Sequence, residues 1–169
     1  MAPTLAELGW LLLVFVFAYV ALARGRLPAG AVTAILGGSF VFAATLVALH
    51  TLAPIPARTQ WPMLSRCLAM LAYISWVIVQ AAPDRWPLAN LYIVVIVAAA
   101  VALGPRVTLL VLGLVAGALR WVASAQPAAE AAWAPFGLVL APMALIAYVA
   151  ARFAGDIRNA IERIRFISE

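Results

Sequence analysis

Lysine is absent from this chain, and all eleven of its cationic side chains are arginine. Histidine and cysteine occur once each, as His50 and Cys67, and only six side chains are acidic. A single histidine excludes paired-histidine metal sites such as HExxH. Without lysine, no glycine-rich loop can end in the Gly-Lys-Ser/Thr that cradles a nucleotide phosphate. Cys67 cannot close an internal disulfide; it lies just inside an apolar segment and reads as a small packing residue. Charged residues make up 10% of the chain against 67% hydrophobic, whereas a soluble domain carries about 25% charge. No soluble core could absorb that much apolar surface in so short a chain, so the sequence reads as an integral membrane protein. The net charge of +5 collects at the ends of apolar stretches and in the last helix. There it reads as a topology signal and as lipid-headgroup contact, and offers no soluble basic face to nucleic acid.

What the chain does contain is six apolar stretches within 169 residues. The hydrocarbon core of a bilayer, roughly 30 Å thick, asks for about 20 mainly apolar residues per helix. Spans are predicted over 8–23, 29–52, 63–82, 88–103, 107–124 and 136–151. Between them stand Arg24-Gly25-Arg26, Pro54-Ile55-Pro56, Pro83-Asp84-Arg85-Trp86-Pro87, Gly104-Pro105-Arg106, and Gln126-Pro127 with the loop to Trp133. Proline removes a helical hydrogen bond, so these are credible boundaries. The N-terminal stretch has Glu7 and no arginine before its apolar run. It lacks the positive region of a signal peptide and is kept as a span. The expected fold is all-α: residues 1–151 form a bundle of six transmembrane helices, and 152–169 form a cytoplasmic coiled-coil signalling helix. All the loops are short, and the length leaves no room for a catalytic domain of ordinary size.

Arg152, Arg158, Arg163 and Arg165 follow the last span and assign the C-terminus to the cytoplasm. Counting back through six spans puts the N-terminus inside as well, with Arg58, Arg66 and Arg106. Arg24 and Arg26 then fall outside with Arg85, against the positive-inside tendency; a five-span chain with an outside N-terminus would bring that pair in. Trp10, Trp61, Trp86, Trp121 and Trp133 stand near proposed span ends, where interfacial rings are favoured.

Candidate ligand-sensing residues are few. His50 is the most unusual polar residue in the membrane zone, where ionisable groups are costly and often functional. Its plainer role is an imidazole reaching headgroups or a neighbouring carbonyl from the inner end of its span. Gln80, Asn90 and Arg120, together with Arg85, could frame a polar entrance at the outer side. Snorkelling for the arginines and helix–helix hydrogen bonds for the amides is the alternative. Gly113 and Gly117 make a GxxxG step, and Gly37-Gly38 a flat patch, both suited to close helix packing, by default within the chain. No catalytic, cofactor-binding or metal-ligating constellation is present.

The last segment has a pattern of its own. Ala154, Ile157, Ile161, Ile164 and Ser168 are spaced three, four, three and four, the a/d seam of a coiled coil, with Asp156, Arg158, Glu162, Arg163 and Arg165 between them. Pairing with the same helix of a second copy would bury the isoleucines, so a parallel homodimer is expected. An amphipathic helix lying on the membrane surface is the competing reading.

Pro87-Leu88-Ala89-Asn90-Leu91-Tyr92, the Ala-rich span after it, Leu103-Gly104-Pro105-Arg106 and a further Leu-rich span together resemble the multi-span sensory regions of bacterial signalling proteins. Membrane histidine kinases and diguanylate cyclases are among these. Glu162-Arg163-Ile164-Arg165-Phe166-Ile167-Ser168-Glu169 resembles the signalling helix that precedes a GGDEF catalytic domain. In that family an Asp-x-Leu-Thr-Gly-Leu motif follows such a helix within a few residues, and neither it nor the histidine-kinase phospho-acceptor motif occurs in these residues. The resemblance covers the layout of the whole chain, and in motif only the span ends and the last dozen residues. It implies an input module of the bacterial inner membrane, with an absent output domain that would make cyclic di-GMP from two GTP molecules. GTP and magnesium would belong to that output domain, and no cofactor to this chain. The expected partners are the bilayer, a second copy and an unknown small or lipid-like signal. The competing functions are the sensor region of a histidine kinase, a small transporter or channel, and a membrane scaffold.

Overall fold

The computed structural model describes residues 3–51, 61–81, 85–124 and 133–167. All regular structure among them is helical: α1 (Pro3–Ala23), α2 (Ala29–Thr51), α3 (Trp61–Gln80), α4 (Arg85–Ala89), α5 (Tyr92–Leu103), α6 (Pro105–Ser124) and α7 (Trp133–Ile167). Long apolar runs without internal glycine–proline pairs leave the backbone only itself to bond with, and the helix satisfies each N–H and C=O locally.

Four helical segments are long and apolar enough to cross a membrane: Ala29–Thr51, Trp61–Gln80, Pro105–Ser124 and Gly137–Ile157, the last within α7. Two further apolar helical stretches, Glu7–Ala23 and Pro87–Leu103, are shorter. The stretch expected as one span over 88–103 is two helices, α4 and α5. Their junction at Asn90-Leu91 is held by tight i→i+3 bonds, Leu91 N–H to the Leu88 carbonyl at 3.0 Å and Ile93 N–H to the Asn90 carbonyl at 3.0 Å. Pro87 lies in the first turn of α4, where its missing N–H is harmless. The helices expected over 136–151 and from 152 onward are one unbroken helix, α7. Pro142 lies inside it, and its missing donor costs one backbone bond without ending the helix.

Helix α5 is the centre of the bundle. It touches α1, α3, α6 and α7, and Tyr92, Val95, Ile96, Ala98, Ala99, Ala100 and Leu103 are buried along it. A helix apolar on every side has no face for solvent, and its place inside the bundle follows from that. Its alanines let the surrounding helices approach closely. One residue, Gly104, joins α5 to α6, with φ 90°, a backbone region that a Cβ disfavours. Pro105 then opens α6, where a missing N–H is harmless, and Thr108 closes the corner by donating both its N–H and its hydroxyl to the Gly104 carbonyl.

The outward surface is apolar. Leu22 is 88%, Phe40 78% and Leu138 77% exposed, and exposed leucine, valine and phenylalanine recur along α1, α2, α6 and α7. A soluble monomer rarely carries contiguous apolar surface on that scale.

The α2–α3 contact depends on one glycine. A Cβ at Gly38 would stand 2.5 Å from Nε1 of Trp76, whereas one at Gly37 would meet nothing within 4 Å. Trp76 uses that approach to donate its indole N–H to the Ala34 carbonyl at 3.2 Å. Gly38→Ala should therefore displace the indole and destabilise the bundle by about 1–3 kcal/mol. Gly37→Ala should leave stability unchanged or raised. Melting of the two variants in detergent checks this, and equal melting temperatures would refute it.

Candidate functional site

Two hydroxyl relays cross the apolar interior, and both meet at α3. Ser39 on α2 donates its hydroxyl to the Ile35 carbonyl at 2.8 Å and lies 2.6 Å from the Tyr73 hydroxyl. The serine's one proton is committed to the carbonyl, so Tyr73 donates to Ser39. Ser75 on α3 likewise donates to the Leu71 carbonyl at 2.8 Å and accepts from Tyr92 of α5, also at 2.8 Å. The Tyr73 ring stacks on Phe42, with centroids 4.3 Å apart and planes 3° from parallel. In an apolar core each tyrosine would otherwise hold an unsatisfied donor, so these pairs fix the register of α2 on α3 and of α3 on α5.

The sequence reading passed over these residues. Their signal was present: Trp76 is the one tryptophan away from a proposed span end, and Ser39, Tyr73, Ser75 and Tyr92 are polar tips inside apolar runs. What pairs them is helix register, which one sequence does not display.

The four expected ligand-sensing residues fall at two ends of the bundle. The pairs Trp76–Ala34 and Tyr73–Ser39 make α2 and α3 antiparallel, so His50, in the last turn of α2, and Gln80, at the end of α3, lie at opposite ends. Asn90 at the start of α5 and Arg120 near the end of α6 share the end that holds Gln80. His50, Asn90 and Arg120 are exposed and Gln80 is half-buried. Asn90 lines a cavity of about 310 Å³ with Phe15, Tyr19 and Leu88, and neither Gln80 nor Arg120 reaches its lining. The side chain of Arg85 lies outside the described residues. Among the described residues no three His, Cys, Asp or Glu side chains stand close enough to hold a metal ion.

Of the glycines expected to pack helices, Gly38 does so against Trp76. Gly37, Gly113 and Gly117 have open space where a Cβ would stand, so the GxxxG step of α6 meets no other helix among the described residues. Gly37 and Gly38 instead line an open groove of about 610 Å³ between α2 and α3. A second groove, of about 450 Å³, runs between α6 and α7. Leu109, Leu112, Tyr148 and Ala151 line its body, and Arg152 and Asp156 its mouth.

The expected seam joins a longer stripe. Read back from Ala154 with the same three–four alternation, it passes through Ala150, Ala147, Met143 and Leu140. Met143 and Ala147 are buried in the core cluster and Leu140 packs against it. Ala154 is buried within the chain itself, whereas Ile157 is 53% exposed. The stripe thus faces the bundle as far as Ala154 and emerges from it at Ile157. Ile161 and Ile164 belong to α7, but their side chains lie outside the described residues, as does Ser168 altogether.

Removing the Tyr73 hydroxyl while keeping its ring isolates one relay. Tyr73→Phe should cost about 0.6 kcal/mol, the typical worth of an interhelical bond in a membrane bundle. Ser39→Ala should cost more, because it leaves the buried tyrosine donor without an acceptor. Adding Tyr73→Phe to Ser39→Ala should recover part of that loss. A double-mutant cycle of unfolding in detergent measures it, and strictly additive losses would show that the pair does not interact.

No protein-family model, curated protein or solved structure matches this chain.

Proposed function

We propose that this chain is a membrane sensory and transducer module of the bacterial inner membrane, crossing six times with both termini in the cytoplasm. It relays a signal through α7, paired with α7 of a second copy, to a C-terminal output enzyme. On the resemblance of the terminal helix that enzyme is a diguanylate cyclase, with a histidine kinase as the alternative. The observation that carries the reading is the continuity of α7. Its 35 residues span about 50 Å at 1.5 Å per residue, well beyond a hydrocarbon core of roughly 30 Å. A single rigid helix therefore joins the apolar bundle to the Arg-rich segment. Rotation or displacement of the bundle end of α7 is carried along the helix more directly than through a flexible linker. An output enzyme that needs two active sites face to face can be governed by such a helix pair if the pair has two packings of similar energy.

A transporter is the second reading, favoured by the interruption between α4 and α5, since discontinuous helices often hold transported substrates. The i→i+3 bonds that close the Asn90-Leu91 junction weigh against it, because they occupy backbone groups that a substrate or ion would use.

Two experiments test the proposal. Cysteines placed singly at Ile157, Ile161 and Ile164 should cross-link between copies more readily than cysteines at Asp156 or Arg163. Equal cross-linking around the helix would remove the paired seam. In the protein carrying its output domain, inserting one residue at Asn159 turns everything downstream by about 100°, and inserting seven nearly restores the phase. Output should be badly altered by the first insertion and largely recovered by the second. Unchanged output and regulation in both would make α7 a mere tether.

A further inference from the structure

We infer that the groove between α6 and α7 binds a phospholipid with a zwitterionic, primary-amine headgroup of the phosphoethanolamine kind. The inference rests on the reading of the chain as membrane-embedded, with α7 leaving the bilayer near Arg152. The groove body, formed by Leu109, Leu112, Tyr148 and Ala151, is apolar and opens towards the lipid side of two helices long and apolar enough to cross a membrane. Such a channel suits an acyl chain. At its mouth stand one cation and one anion, Arg152 and Asp156, both lining the same groove and both exposed.

Their order along α7 decides the ligand. Four residues raise Asp156 about 6 Å further along the helix axis than Arg152, away from the apolar body. A phosphoethanolamine lipid carries its charges in the same sequence: acyl chain, phosphate, short spacer, protonated amine. The phosphate then meets the Arg152 guanidinium, which donates paired N–H groups to phosphate oxygens. The amine meets the Asp156 carboxylate one turn on. The first turn of α6 begins at the same mouth, since Pro105 also lines the groove, and its positive helix end favours the phosphate. A purely anionic lipid would satisfy Arg152 and be repelled by Asp156; a lipid with a quaternary amine would bring no N–H to the carboxylate. Arg152 preceding Asp156 by four residues is the less favourable order for an ion pair within a helix, so pairing between them competes only weakly with the headgroup. A lipid seated there touches α7 where its stripe leaves the bundle, so its occupancy bears directly on the helix that carries the signal.

The test uses the full chain released from membranes and exchanged into detergent with equal amounts of phosphatidylethanolamine, phosphatidylglycerol and phosphatidylcholine of matched acyl chains, read by native mass spectrometry. The wild-type chain should retain phosphatidylethanolamine over each of the others by about threefold or more, the scale of an exposed charge contact. Asp156→Asn should bring the ethanolamine-to-glycerol ratio to about one, Arg152→Gln should lower retention of all three, and Leu112→Trp, which fills the groove, should do the same. Each variant is first shown to melt as the wild type does. Equal or greater retention of phosphatidylglycerol by the wild-type chain would overturn the inference, as would an unchanged ratio in Asp156→Asn. Alkaline extraction of the membranes separates this outcome from failure of the functional reading. A chain that stays in the membrane but shows no headgroup preference loses the lipid site alone. A chain that washes out loses the membrane reading as well.

Discussion

An apolar core obliges every buried polar group to find its partner within the protein, and that constraint organises this bundle. The helices meet it first for the backbone. The two Tyr–Ser relays meet it for side chains, each passing a tyrosine proton to a serine whose own proton goes to a carbonyl one turn earlier. Neither relay leaves a donor over. Because both include α3, a shift of that helix against α2 or α5 would orphan a hydroxyl in apolar surroundings, at a cost of roughly 1–3 kcal/mol. Apolar contacts alone tolerate sliding between helices; these hydrogen bonds do not.

Packing then follows from side-chain size. Helix α5 is central because it is alanine-rich and apolar on every side, and it can be short because α4 and the one-residue corner at Gly104 carry the chain to and from it. Gly38 admits the Trp76 indole, which brings α2 and α3 close enough for the first relay. Gly9 of α1 likewise leaves room for Leu46, which a Cβ there would meet at 2.9 Å. Gly37 and Gly155 instead face open space and line grooves on the outside of the bundle.

Helix α7 links this static core to the proposed function. Its heptad stripe packs on the bundle from Leu140 to Ala154 and emerges at Ile157, so the residues that would pair with a second copy continue the face that holds the helix in its own chain. Any change that rolls α7 on α5 and α6 must therefore turn the emerging face by the same angle. The groove between α6 and α7, with Arg152 and Asp156 at its mouth, lies beside that point of emergence. A ligand there would act on the roll of α7 without a long path of transmission.

The all-helical class, the apolar character and the corner at Gly104-Pro105 were legible in the sequence, because each depends on local composition and backbone chemistry. The stripe through Ala154 and Ile157 lies on an α-helix as its period implied, since helical period is a property of order along the chain. Lengths were less legible. The stretch over 88–103 is divided at Asn90-Leu91, because helix continuity depends on what the neighbouring helices cover as well as on hydropathy. Register was not legible at all. That Ser39 meets Tyr73, that Ser75 meets Tyr92, and that Gly38 but neither Gly113 nor Gly117 receives a neighbour are decided by how helices rotate and slide against one another. Those are long-range degrees of freedom that leave no mark on the spacing of residues within any one helix. The sequence by itself determined that this chain must bury its backbone in helices; the tertiary structure alone decided which polar tips could be satisfied inside, because a hydrogen bond across an apolar core forms only where two separate helices bring donor and acceptor to the same depth.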